Sequence, residues 1–362
     1  MKKFGFGCMR LPMKEQQVDT EQFKKMIDRF IEDGFNYFDT AHGYIHGLSE
    51  TAIKECLVDR YAREEFILTD KLTANYFNSE SDIYQVFNDQ LTKTGVTYFD
   101  YYLMHALNSE HYKKFVNCRA FEAVNQLKTE GKVRHMGISF HDKPEVLEMI
   151  LTEHPEIEVV QIQFNYLDYD SPSIQSHAVY DVCRKFNKPI IVMEPCKGGG
   201  LINLPADAKK IFDKLGNSYA NYAIRYCASF DSIMMVLSGM STYDQLIDNV
   251  TFMKDFQPLT KEEYQAIESV KEIIKKQDMI ACTACRYCTD GCPKAIMIPD
   301  IFACYNSKKQ YKDWNSSMYY KVSTNGKGKA SDCIECGQCE AVCPQHLPIR
   351  KYLKEVAQEL EK

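Results

Sequence analysis

Eight of the fifteen cysteines fall in two runs of one spacing, Cys282-x2-Cys285-x2-Cys288-x3-Cys292-Pro293 and Cys333-x2-Cys336-x2-Cys339-x3-Cys343-Pro344. Thiolates three residues apart let one loop reach three irons of a cubane, and this run is the one that ligates [4Fe–4S] clusters. Structural zinc also takes four thiolates, but normally from two separated Cys-x2-Cys pairs and not from triplets ending in Cys-Pro. Two complete runs point to two [4Fe–4S] clusters held by all eight cysteines. In two-cluster proteins the fourth cysteine of each run serves the other cluster. That crossing is the expectation here, although spacing alone leaves it open.

A second constellation is spread along the first third of the chain: Asp39 and Tyr44 in Tyr-Phe-Asp-Thr-Ala-His-Gly-Tyr, Lys71, and His105 in Tyr-Tyr-Leu-Met-His. These types suit carbonyl reduction. A phenol near pKa 10 is a weak acid at neutral pH, and an adjacent lysine cation favours the phenolate and lowers that value. Asp39 would keep Lys71 charged, His105 would orient the carbonyl oxygen, and Tyr44 would protonate the alkoxide as hydride reaches carbon. Singly, each residue has a plainer reading as pocket wall or salt bridge. Four at the ends of consecutive strands favour a site, because barrel enzymes assemble catalytic groups from several strand termini.

The elements that must position them can be read from pattern. Short β-rich runs at 4–9, 36–40, 66–70, 101–104, 133–139, 159–164, 190–193 and 233–237 alternate with helical segments. Phe23, Met26, Ile27, Phe30 and Ile31 fall on one helical stripe that ends before Asp33-Gly34, with Gly34 as C-cap. Pro144 opens the fifth helix and Gly131 closes the fourth. Eight strand–helix units make an α/β protein of the (β/α)8 TIM-barrel type, whose strand C-termini gather on one face. Residues 1–276 are assigned to the barrel. Residues 277–362 form a second module, with the cysteine runs and a C-terminal helix, joined without a Gly/Ser linker and therefore expected to be docked rather than tethered. Between the runs, Phe302, Tyr305, Trp314, Tyr319 and Tyr320 are expected to pack on the barrel.

The chain has 362 residues, 45% hydrophobic and 26% charged, which excludes disordered and fibrous classes. Forty-four Lys+Arg against fifty Asp+Glu give a charge of −6, so neither nucleic acid nor a membrane surface is an expected partner. No apolar run approaches the roughly 20 residues of a membrane span. With no export signal in view, fifteen cysteines favour metal and redox chemistry in the cytoplasm over a disulfide framework. The seven cysteines outside the runs read as buried apolar residues, with Cys8 and Cys196 near the barrel mouth.

Residues 4–255 resemble the aldo-keto reductase family. The likeness rests on Gly-Phe-Gly-Cys-Met-Arg-Leu-Pro at 5–12, Phe-Asp-Thr-Ala-x-x-Tyr at 38–44, Leu-Met-His at 103–105, Glu-Gly-Lys-Val-Arg-His-Met-Gly-Ile-Ser at 130–139, and Leu-Ser-Gly-Met-Ser at 237–241 leading to Asp248-Asn249. With residues 280–348, nearly the whole chain is similar to the branch carrying a C-terminal ferredoxin-like 4Fe–4S dicluster domain, an α+β module. The resemblance implies a barrel binding NAD(P)H across its mouth, with Asp39, Tyr44, Lys71 and His105 as catalytic tetrad. It places Gly7, Cys8 and Met9 at the cofactor, Ser139 and Gln161 at the nicotinamide amide, Gly239 at phosphate and Asn249 near adenine.

Two departures stand out. The first strand begins almost at Met1, leaving no preceding hairpin to plug the barrel base, so the second module or a second subunit is expected to cover it. No Lys or Arg occurs between 239 and 249, so charge does not favour NADPH. The expected function is an oxidoreductase reducing a carbonyl or conjugated small molecule, with NAD(P)H or with electrons relayed through the clusters from a ferredoxin-type partner. Flavin is a further candidate, since hydride carries two electrons and each cluster one. The alternatives are an electron-transfer or flavin-binding protein on a reductase scaffold, and an ordinary reductase with a structural or sensing cluster module.

Overall fold

In the computed structural model, residues 2–171, 174–276, 279–280, 282, 286–311, 315–341, 343 and 347–362 are described. The eight β-rich runs become eight strands: β1 Phe4–Gly7, β2 Tyr37–Asp39, β3 Ile67–Thr73, β4 Phe99–Leu107, β5 Val133–Phe140, β6 Val159–Gln163, β7 Ile190–Met193 and β8 Ile233–Gly239. Every neighbouring pair is parallel, and β1 closes the barrel against both β2 and β8. The first crossover shows how sequence sets these units. Asp19 accepts the Gln22 amide at 3.0 Å to start helix Thr20–Glu32, and the helix buries Phe23, Met26, Ile27 and Phe30. Each such burial contributes about 1.5–3 kcal/mol. Gly34, at φ +82°, turns the chain back as expected.

Alternation along the strands sorts their inward residues by depth. Deep in the barrel, Tyr37, Leu103, Val159, Ile191, Met235 and Leu237 form one cluster, with the Tyr37 and Tyr101 rings 5.8 Å apart. The barrel thus fills its own N-terminal end. Two residues further along the same faces come Asp39, His105 and Gln161, so the apolar plug gives way to polar groups at the C-terminal mouth. Gly137 is required by this packing: a Cβ there would lie 2.4 Å from Val159 Cγ1 and 2.6 Å from the Val159 carbonyl oxygen. A two-residue hairpin that sequence reading missed, Met13–Lys14 with Gln17–Val18, follows β1 and turns through Glu15 and Gln16, both at positive φ.

The chain forms two compact units. The first contains Met1–Gly198 and Asn217–Glu263, and the second Gly199–Gly216 and Tyr264–Lys362. In the second, helices Ile298–Tyr311, Asn315–Ser323 and Ile349–Leu360 surround a core of Ile296, Ile301, Phe302, Tyr305, Tyr320, Leu353 and Val356. The aromatics of the insert therefore differ from expectation: Phe302, Tyr305 and Tyr320 build the module's own core, while Tyr319 is exposed. The Tyr320 hydroxyl accepts the Ala330 amide at 2.8 Å. Trp314 lies outside the described residues. The segment 325–329 is pinned at Gly328, which bridges Ile296 and has the Lys294 carbonyl oxygen 2.2 Å from where a Cβ would be. Among the described residues, no helix is long and apolar enough to cross a membrane.

Candidate active site and cluster cysteines

The barrel brings Asp39, Tyr44, Lys71 and His105 together. Lys71 is fully buried, and its Nζ donates to Asp39 Oδ1 at 2.5 Å and to the Thr40 carbonyl at 2.6 Å. The other Asp39 oxygen accepts Gln161 Nε2 at 3.0 Å. The ammonium lies 4.9 Å from the Tyr44 ring centroid. His105 sits across from Tyr44, with the rings 5.7 Å apart and nearly perpendicular. The two charged groups are buried, whereas Tyr44 and His105 are half-buried and open to the mouth. Two members hold charge and two can touch a substrate.

The electrostatics follow from burial and pairing. Burial alone would lower the Lys71 ammonium, but Asp39 and then Tyr44 outweigh it and push it up to about 12, so it stays charged. Burial is also the largest influence on Tyr44 and holds its phenol above 10, with Lys71 opposing. The net direction differs from the sequence expectation: the phenol is kept as a proton donor. Burial, then Lys71, hold His105 well below 6.5 and hence neutral. Thr73 Oγ1 lies 2.8 Å from His105 Nδ1. With the hydroxyl donating, Nε2 carries the imidazole proton toward the mouth.

Tyr44 is presented by a strained loop. Gly43, Ile45, His46 and Gly47 all adopt positive φ, which for β-branched Ile45 costs about 1–3 kcal/mol. Gly43 also has no room for a side chain, since a Cβ would sit 2.6 Å from the Tyr76 hydroxyl oxygen. Such strain gathers where a loop must hold one group in place.

The remaining barrel candidates are distributed around this centre. Gly7 is in register with both Asp39 and Gly239, and the Cys8 amide donates to the Asp39 carbonyl at 2.8 Å. Cys8 is buried and burial pushes its thiol up, whereas Met9 is exposed. Ser139 Oγ accepts the Ala106 amide at 3.0 Å, fixing the backbone just past His105. Gln161 is a partner of Asp39, a role sequence reading did not foresee. Asn249 is buried and donates to Ser238 Oγ at 3.1 Å, latching its helix to the end of β8.

Sequence reading also missed a buried carboxyl pair behind the site. Asp70 and Glu50 are both fully buried and close enough for the charge of one to act on the other. Asp70 Oδ1 accepts the Lys71 amide at 2.7 Å, Oδ2 has no donor, and both Glu50 oxygens lie 3.1 Å from His42 Nδ1. Burial, then the Glu50 charge, holds Asp70 well above 3.8. A carboxyl with a raised folded-state pKa stabilises the fold at low pH and loses that contribution as pH rises toward the raised value. Asp70→Asn, which cannot ionise, is expected to melt increasingly above the native protein as pH rises from about 4 toward the raised Asp70 value. The gap widens by at most about 1.4 kcal/mol per pH unit. A pH-independent difference in melting curves would contradict the raised Asp70 carboxyl.

In the second unit the doubled motif has a doubled conformation. The third cysteine of each run, Cys288 and Cys339, occupies the second position of a short helix, Tyr287–Asp290 and Gln338–Ala341. The residue two before each, Arg286 and Gly337, is left-handed at φ +66° and +79°. Arg286 is held there by a bidentate ion pair with Asp300, at 2.7 and 2.9 Å. Cys292, Cys333, Cys336 and Cys339 line one cavity together, with Ile296 and Leu353 on its apolar wall. Cys282 and Cys343 pack on the same core as buried Cys288, while Cys285 lies outside the described residues. Among the described residues, no three thiol, imidazole or carboxyl groups converge on one ion-sized point. Four thiols spread around a cavity fit a multi-iron cluster better than a single ion.

A closed parallel barrel with an Asp–Lys–Tyr–His group at its mouth, joined to a cysteine-cluster module, defines an oxidoreductase of two parts. Comparison with known proteins gives the family. The aldo/keto reductase family model matches residues 3–272 and the 4Fe–4S dicluster domain model matches residues 281–348. The chain belongs to the aldo/keto reductase family. It is 25% identical over 292 residues to an uncharacterized oxidoreductase, YqkF, of Bacillus subtilis, covering 73% of this chain and 91% of that protein. It is 24% identical over 193 residues to the NADH-specific methylglyoxal reductase of Escherichia coli, covering 48% and 57%. The holo form of aldo-keto reductase AKR11C1 from Bacillus halodurans superposes with a TM-score of 0.62 at 27% identity, covering 74% of this chain and 91% of that one. A Klebsiella pneumoniae aldo-keto reductase solved with NADPH gives 0.62 at 17% identity, over 74% and 90%, and shows the shared fold.

Proposed function

We propose that residues 1–276 reduce the carbonyl of a small molecule with NAD(P)H and that residues 277–362 carry two [4Fe–4S] clusters exchanging electrons with a ferredoxin-type partner in the cytoplasm. The observation that carries the first half is the buried Asp39–Lys71 pair beneath half-buried Tyr44 and His105. NAD(P)H supplies the hydride when bound. His105, neutral and donating from Nε2, orients the carbonyl oxygen. Tyr44 gives its proton to that oxygen as it becomes an alkoxide, and Lys71 stabilises the phenolate left behind. Asp39 and Gln161 keep Lys71 aimed at Tyr44.

For the second half, support comes from the four thiols of one cavity, one from the first run and three from the second. They support a reading in which Cys292 joins Cys333, Cys336 and Cys339 on one cluster and, by the matching pattern, Cys343 joins Cys282, Cys285 and Cys288 on the other. The test is an anaerobic absorbance spectrum before and after NADH or NADPH. Bleaching of the broad iron–sulfur band is expected. Carbonyl turnover with an unbleached band would disconnect the two modules and leave the clusters a structural or sensing role.

A further inference from the structure

The inward-facing residues of the barrel rise in layers, and one more layer lies above the tetrad. Along β5 the inward series runs Gly137, Ser139 and His141. A Cβ at Gly137 would meet Val159 and Leu103 of the plug, and Ser139 is in register with Gln161. His141 comes next, just past the strand end, with its amide donating to the Leu107 carbonyl at 2.8 Å.

Strand β4 does not supply that layer, because its register against β5 shifts between Met104 and Leu107. Ala106, next to His105, takes the left-handed conformation at φ +54°. Both its backbone polar groups are held by side chains: the amide donates to Ser139 Oγ at 3.0 Å, and the carbonyl accepts from His111 Nδ1 at 2.8 Å. The bulge so fixed ends the inward run of β4 at His105 and leaves the space above it to His141. His105, His111 and His141 are close enough for the charge of one to act on another.

The polar side chains at the neighbouring strand ends are engaged. Thr73 Oγ1 lies 2.8 Å from His105 Nδ1, and Gln163 Nε2 donates to Asp168 Oδ2 at 2.8 Å. The His141 ring is exposed and makes no hydrogen bond among the described residues. The surrounding protein, then His111, hold its pKa below 6.5, so at neutral pH one ring nitrogen donates and the other accepts. Such a ring can meet a carbonyl oxygen or a hydroxyl alike.

We propose that His141 is a specificity residue that binds a second oxygen of the substrate, one carried on the carbon next to the carbonyl, as in a 1,2-dicarbonyl or a 2-hydroxyketone. The inference rests on the carbonyl-reducing role above. His105 holds the oxygen to be reduced, and His141 stands one step, about 6.6 Å, further out on the neighbouring strand. With hydrogen bonds of about 2.9 Å reaching into the mouth from each ring, the two oxygens they serve are a few ångströms apart, as vicinal oxygens are.

The test is anaerobic steady-state reduction of 2,3-butanedione and of butanone, which differ by one oxygen on one carbon frame, by the full-length, cluster-loaded protein with saturating NADH or NADPH. His141→Phe is expected to lower kcat/KM for 2,3-butanedione by about tenfold while changing that for butanone by less than about twofold. His141→Asn, which restores a donor and an acceptor, should recover part of the loss. Calorimetric Kd for NADH and NADPH should be unchanged in both variants, and circular dichroism should show both folded. No loss on 2,3-butanedione, or an equal loss on both ketones, would overturn the proposal. So would a weakened Kd, which would place His141 at the dinucleotide. A native protein that reduces neither ketone would overturn the carbonyl-reducing reading itself.

Discussion

Tyr44→Phe is expected to lower kcat for carbonyl reduction by a factor of about 10²–10⁴ while leaving dinucleotide affinity unchanged. The variant keeps the ring beside Lys71 and opposite His105 and removes only the hydroxyl. Burial holds the Tyr44 phenol above 10, so the donating form prevails across the neutral range. In the native enzyme, single-turnover reduction should therefore be flat through neutral pH and decline as pH rises through the Tyr44 value, since the acid is lost. Lys71, at about 12, stays charged over that interval and contributes no inflection. A Tyr44→Phe variant reducing carbonyls at the native rate would show that another group supplies the proton.

The second large effect concerns the clusters. Cys292→Ala and Cys339→Ala belong to different runs, yet they face one cavity, so each is expected to remove the same cluster. Iron content should fall from about eight to about four per chain in either variant, and the double variant should also stop at about four. The electron paramagnetic resonance signal left after reduction should be the same in all three. If the double variant loses all its iron while each single variant keeps half, the two cysteines serve different clusters and the runs do not cross.

Much of this was legible because barrels repeat. Each strand announced itself by a short β-rich run, and each polar residue just past a run, from Asp39 to His105, had to reach one mouth. The dicluster module was legible because the cysteine spacing is characteristic of such domains. What escaped is contact set by tertiary folding. Nothing local to Gln161 says that its amide meets Asp39, 122 residues away. Asp70 and Glu50 look like ordinary acids until both are buried side by side. The hairpin at 13–18 lacks a turn glycine, and Glu15 and Gln16 give no sign that they adopt positive φ. The insert aromatics were read as an interface because they sit in a linking segment, yet a module of short helices needs large side chains for its own core. The Tyr44 phenol went the other way from expectation because burial outweighs one neighbouring cation.

The plug of Tyr37, Leu103, Val159, Ile191, Met235 and Leu237 has a kinetic corollary. A tube stoppered at one end has a single doorway, and whatever reaches Tyr44 and His105 must pass through it. Two reactants that share a doorway queue: the larger, seated along the rim, enters before the smaller that caps it, and the two leave in reverse order. Sequential turnover with the small molecule last in and first out is therefore the order expected of the proposed reaction, imposed by a layer of side chains remote from the mouth.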